Sequence, residues 1–318
     1  MKKSLVSLAV GAVLGLSAMS SAFASPIMIN NGVDFGPNGS TSTGALKELG
    51  YTGTLATSMY FGNPMVPGTT TIDTNIGSVM NSYGFTAGNK TAMDGVTSIV
   101  AAYPADPDNL NINALNNTPA PDKNGFNDGE TLSYGLQVGT LGKLWGLTYN
   151  YAITGATTAS DVKYTSGFFN VIYRDGGATV NDGKQVLRMN LDGSEFQGVN
   201  LSLFGMASFD FDGNGTDDAI GDAFIQNFWK DAKPSGQSFY DSWLANDKSI
   251  KWIVDTNVNP PIPAADQLWQ EVPAGPLFRQ STLDGSIRFD VPEPGTVALL
   301  GLALAGLGLT QRRRKATK

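Results

Sequence analysis

The chain has 318 residues, a formal net charge of −7, and neither cysteine nor histidine. The missing thiols exclude disulfides, thiolate nucleophiles and thiolate metal sites, and the missing imidazoles exclude Ser-His-Asp triads and His-ligated zinc. Both ends are basic, so the stretch 25–290 holds 27 acidic against 14 basic residues, a charge of −13 that repels nucleic acid and favours hard, oxygen-ligated cations.

At the N-terminus, Lys2 and Lys3, the apolar run from Leu5 to Leu16, and Ala22-Phe23-Ala24 before Ser25 have the layout of a secretory signal peptide with an A-x-A cleavage site. The run is too short for an ordinary spanning helix. Residues 1–24 are therefore set apart as the signal peptide. The body, 25–290, is long enough to bury a core without staples, as one large β domain or two smaller ones.

From Ser25 to Asn117 the chain is rich in Gly, Thr, Ser and Asn, with turn signals at Asn31-Gly32, Asn63-Pro64 and Pro67-Gly68. Pro26 to Ile29 and Gly95 to Tyr103 are expected strands, and Gly44 to Leu49 one or two helical turns. Residues 109–129 form a second loop-like region and the place where the body could divide.

Periodicity sharpens after this point. Trp145, Leu147, Tyr149, Tyr151 and Ile153 alternate with small and polar residues, the pattern of a half-buried antiparallel strand whose aromatic face fills a core or offers a sugar-stacking platform. Gly167 to Tyr173 and Gln185 to Leu191 are further strands, with turns expected at Asp175-Gly176, Asn181-Asp182-Gly183 and Asp192-Gly193. Phe196 to Phe211 continues the pattern. Phe239 and Trp243, four apart, mark a short helix from Ser238 to Ala245. Ile250, Trp252 and Val254, then Ile287, Phe289 and Val291, give the last strands. Turns at this spacing without alternating helices predict an all-β fold: an antiparallel β-sandwich of jelly-roll or Greek-key type with one or two short helices.

One loop carries candidate chemistry. In Asp210-Phe211-Asp212-Gly213-Asn214-Gly215-Thr216-Asp217-Asp218, side-chain oxygens of Asp210, Asp212, Asn214 and Asp218, with the Thr216 carbonyl, are spaced to wrap a hard cation such as calcium. It lacks the bidentate Glu of an EF-hand. It resembles the Asp-x-Asp-Gly-Asn-Gly loops of extracellular β proteins, including propeller blades, but occurs once, which excludes a propeller. The alternative is an Asx-rich turn without metal.

The C-terminus, residues 291–318, combines Pro292-Glu293-Pro294, an apolar run from Val297 to Leu309, and Arg312-Arg313-Arg314-Lys315. The prolines break regular structure, the run sits at the short edge of a spanning helix, and the basic cluster belongs on the cytoplasmic side. An ordinary anchor or a buried terminal helix would account for parts of this. The whole resembles the PEP-CTERM sorting signal of Gram-negative bacteria. That resemblance implies an exported protein, transiently anchored by a single transmembrane sorting helix, passed to an exosortase-type membrane enzyme, and placed at the cell surface or in an extracellular matrix containing exopolysaccharide.

The Trp145 to Thr154 strand, the Asp210 to Asp218 loop, Trp252 to Asn257 with Pro260-Pro261, and the final strand entering Pro292 more loosely resemble flocculation-associated members of that family. These imply a non-enzymatic part in floc or biofilm formation. A polysaccharide-active glycosidase or lyase, working through Asp, Glu, Tyr or Lys, and a passive self-associating matrix protein are the alternatives.

Overall fold

Alternating apolar and polar residues separated by tight turns favour strands that pair with their sequence neighbours, because a tight turn joins only antiparallel strands. The computed structural model describes residues 26–33, 41–43, 45–46, 48–101, 145–175, 177–197, 200–232, 236–246, 248–257 and 262–290. The expected signal peptide with Ala22, Ala24 and Ser25, the 109–129 region and the 291–318 tail lie outside these residues. In chain order the elements are β1 (Ile27–Ile29), β2 (Leu49–Tyr60), β3 (Thr70–Thr74), α1 (Gly77–Ser82), β4 (Gly88–Thr91), β5 (Thr97–Val100), β6 (Gly146–Thr157), β7 (Val162–Arg174) and β8 (Gln185–Gln197). They continue with β9 (Asn200–Ser208), α2 (Ala223–Phe228), β10 (Trp229–Asp231), α3 (Phe239–Ala245), β11 (Lys251–Asn257), β12 (Trp269–Gln270) and β13 (Leu277–Asp290).

Strands β2, β3, β6, β7, β8, β9 and β11 pair in that order, all antiparallel. β13 then pairs with β11 on one side and β2 on the other. The sheet closes on itself as an eight-stranded meander barrel, with β12 attached outside the ring to β13. The antiparallel, β-rich expectation holds, while the two facing sheets of a sandwich are replaced by one curled sheet. Register shifts, among them those at Thr154/Gly155, Leu191/Gly193 and Leu283/Gly285, add the local twist and bend that bring the ends of long strands together. Closure gives each of the eight strands a partner on both sides, over only part of its length between β2 and β3 and between β7 and β8. Alternation alone cannot separate the two architectures, since each buries every second residue.

Trp145, Leu147, Tyr149, Tyr151 and Ile153 are all buried in the core, so this aromatic face fills the interior and is no sugar platform. Positions alternating with inward residues include Lys163, Asn170, Arg188, Ser202, Asp255 and Arg288, the reverse of a barrel whose outer wall meets lipid. Among the described residues no helix is long and apolar enough to cross a membrane.

One barrel end is covered by the β1–β10 pair and by α2 and α3, through Phe228, Trp229, Phe239 and Trp243. The expected helix at Ser238 to Ala245 is α3, with Ser238 as its N-cap accepting from the Asp241 amide at 3.0 Å. Helical turns expected at Gly44 to Leu49 are not formed among the described residues: Leu46 bridges Ile27, and Leu49 opens β2. Nor is Asp192-Gly193 a hairpin turn; it is a bulge inside β8, where Gly193 lies opposite Phe204 and the aromatic ring covers it. A smaller cluster, Met59, Met80, Phe85, Val100, Trp269 and Phe278, packs α1 and β12 on the outer wall of β2 and β13.

Candidate functional site

The acidic loop follows β9 at the capped end. Gly213 and Gly215 adopt φ of 79° and 87°, a left-handed conformation that glycine takes at no steric cost, and this folds the chain back over Asp210. The amides of Gly213, Asn214 and Gly215 donate to the Asp210 carboxylate at 2.8, 3.1 and 2.8 Å. Its partial burial works against ionisation, but those amides outweigh it and hold the Asp210 carboxyl below the usual range. The Phe211 amide donates to Asp218 at 2.6 Å. One oxygen from each of Asp210, Asp212 and Asp218 lies within 4.8 Å of the others, a donor set suited to a hard cation. Asn214 is turned into the loop, its oxygen accepting from the Thr216 amide at 2.7 Å and its amide donating to Asp212 at 2.8 Å. Thus the structure brings three of the five expected ligands together and commits the Asn214 side chain elsewhere. Arg188, whose guanidinium donates to the Phe211 carbonyl at 2.6 Å, already supplies one positive charge beside the carboxylates.

A second constellation lies inside the barrel, and no sequence motif announces it. Asp73 on β3 is buried and accepts from Ser58 at 2.5 Å, from Tyr151, and from Tyr164 at 3.5 Å. Buried Arg279, contributed by β13, faces it and hydrogen-bonds the Tyr60 hydroxyl. Burial raises the Asp73 pKa; the hydroxyls and the Arg279 charge oppose that shift without cancelling it. Burial likewise pushes the Tyr60 and Tyr164 hydroxyls up, aided by the nearby Asp73 charge. These groups line a cavity of about 30 Å³ whose remaining wall includes Val162, Phe169, Phe196, Leu201, Leu203 and Leu283. The sequence signal is a charged residue at an inward position of β3 and of β13, visible once Ser58 with Tyr60, and Arg279 with Ser281, are placed on the inward face of their strands.

The third site begins where the barrel ends. Asp290, the last residue of β13, pairs with Lys251 of β11 at the capped end. The family model of the PEP-CTERM protein-sorting motif matches residues 290–314. The chain carries a PEP-CTERM sorting motif. Pro292, Glu293, Pro294, Arg312, Arg313 and Arg314 all fall within the matched residues, and the PEP-CTERM motif starts without a spacer at the final barrel strand. It implies recognition by an exosortase-type sorting enzyme and an exported protein handled at the membrane. No curated protein and no solved structure matches the chain.

Proposed function

We propose that the PEP-CTERM tail delivers this barrel to the cell surface or extracellular matrix, where it acts without catalysis in exopolysaccharide-linked cell aggregation, as in floc or biofilm formation. The observation that carries this reading is the direct passage from β13 into the sorting motif at residue 290, which makes the barrel the cargo of that signal. The outward polar wall and the acidic balance of the body suit a hydrated polymer matrix. Calcium at Asp210, Asp212 and Asp218 is the structural cofactor in this reading, fastening the loop beneath α3 through Tyr240, which donates to Asp217 at 2.7 Å.

A polysaccharide-cleaving enzyme is the weaker reading. Glycoside hydrolysis generally uses two carboxyl groups about 5–9.5 Å apart, and Asp73 is the single acid among the described residues lining the interior cavity.

The deciding assay incubates the exported protein with exopolysaccharide from its own host, then measures co-sedimentation and polymer length. Retention of protein with no change in length is expected; shortened polymer would establish the enzyme, and neither effect, with self-association, the passive matrix protein. For the cofactor, calcium is expected to raise the melting temperature of the native protein and not of the Asp210→Ala/Asp212→Ala variant. At a hundredfold excess over Kd the gain corresponds to about 2.7 kcal/mol. An unchanged native melting temperature would remove calcium from the account.

A further inference from the structure

The barrel wall is not uniformly hydrogen-bonded. The ladder between β7 and β8 runs from Phe168 to Ile172 against Asn190 to Gln185, and the Tyr173 backbone continues it to Lys184 and Gly183. Beyond Phe168, toward the uncapped end, β7 pairs only with β6, while β8 pairs only with β9. The two strands are linked there by a side-chain contact, the Tyr164 amide donating to Ser194 Oγ at 2.8 Å. Along this gap in the hydrogen bonding lies an open cleft of about 350 Å³ edged by Asp161, Lys163, Ser194 and Glu195 and lined also by Val162 and Phe196. Val162 and Phe196 also line the interior cavity, so the same two side chains separate the outer cleft from the Asp73 cluster.

We propose that this gap is the entrance to a binding site inside the barrel for a small uncharged amphiphile, a one-ring molecule bearing a hydroxyl or carbonyl at one end. The two walls of the cavity differ in chemistry. β2, β3 and β13 contribute Ser58, Tyr60, Asp73, Arg279 and Ser281 beside one apolar residue, Leu283, whereas β7, β8 and β9 contribute Val162, Phe169, Phe196, Leu201 and Leu203 beside one hydroxyl, that of Tyr164, which reaches Asp73. A guest entering between β7 and β8 passes the apolar wall and presents its leading polar end to the hydroxyls opposite. The cavity pairs one acid with one base, so a charged guest would add an uncompensated charge in a desolvated space. At about 30 Å³ the resting cavity has room for a few waters, at roughly 10–15 Å³ each, and half-buried Phe196 must swing outward to admit a ring. The 3.5 Å contact from Tyr164 to Asp73 is the loosest in the cluster and the one a guest hydroxyl can replace.

The test is calorimetric titration of the protein, as its host exports it, with phenol, cyclohexanol, benzoate and glucose. Saturable binding of phenol and cyclohexanol is expected, with none of benzoate or glucose. Ser281→Leu fills the cavity from the polar wall and is expected to abolish binding. Tyr164→Phe keeps the ring, removes the hydroxyl that competes with the guest for Asp73, and is expected to tighten phenol binding about fivefold to tenfold, as for one hydrogen bond no longer displaced. Should Ser281→Leu fail to fold, Tyr164→Phe decides alone. No saturable binding of the neutral probes, preferential binding of benzoate or glucose, or neutral-probe affinity unchanged in the folded variants would overturn the proposal.

Discussion

Asp73 and Arg279 come from opposite ends of the described chain, and each is intelligible only through the other. A lone charge in a cavity walled by Phe169, Leu201 and Leu203 would be costly, so the pair with its hydroxyl shell is what makes the polar interior tenable. Because burial raises the folded pKa of Asp73 above its unfolded value, its contribution to stability is complete below the ordinary Asp range and is lost as pH rises through the folded value. The native protein is therefore expected to gain stability relative to Asp73→Asn as pH falls from about 7 toward the unfolded carboxylate pKa of about 4. Parallel thermal melts of the two proteins across that range check this; a constant difference would show that Asp73 titrates as in the unfolded chain. Asp210 has the opposite sign. Its lowered pKa contributes stability above the unfolded value, lost on further acidification, and Asp210→Ala should flatten that acid limb.

At the scale of elements, the caps and close approaches govern the order of the wall and its cover. Asp222 caps α2, accepting from the Phe224 and Ile225 amides at 3.1 Å each, and pairs with Lys184 at 2.8 Å. Asp222→Ala is expected to cost about 1–2 kcal/mol, read by urea denaturation, with most of the loss from the cap because the ion pair is partly exposed. Gly205 on β9 allows β8 and Trp252 to close over it: an added Cβ would lie 1.9 Å from the Asn190 carbonyl and 2.9 Å from the Trp252 ring. Gly205→Ala should destabilise by about 1–3 kcal/mol or more, and a melting temperature equal to that of the native protein would contradict this packing.

Much at this scale was legible in the sequence. The Trp145–Ile153 alternation, the Phe239/Trp243 spacing with Ser238 before it, and the Asp210 to Asp218 oxygens each rest on local periods or turn chemistry. β2 and β3 were hidden because Gly, Thr and Ser give weak alternation. Asp192-Gly193 misled because the same dipeptide chemistry serves a hairpin turn and a bulge, and only the cross-strand partner Phe204 distinguishes them.

At the scale of the molecule, closure is a property no local pattern contains. It depends on β13 meeting β11 and β2 together, and on twist accumulated through four register shifts. The same strand ends at Asp290, beside Lys251, so the PEP-CTERM motif departs from the capped end, with the acidic loop nearby and the β7–β8 opening toward the other end. Phe289 secures this departure point, buried against Trp229 and Phe239 with ring centroids 5.8 and 5.5 Å away. Phe289→Ala is expected to cost about 3–5 kcal/mol and to loosen the cap, read as faster amide exchange in β1 and β10 than in β6. Equal acceleration in all three would mean that the cap and barrel open only together.

In the function proposed above, the tail carries an aggregation-promoting barrel to the surface. Its most direct test compares native host cells expressing the full chain with cells expressing a chain ending at Asp290, following settling of the culture and the protein in cell and medium fractions. The shortened protein is expected to leave the surface and the cells to stay dispersed, while the full chain is retained and the cells settle. Equal settling with both proteins would contradict it.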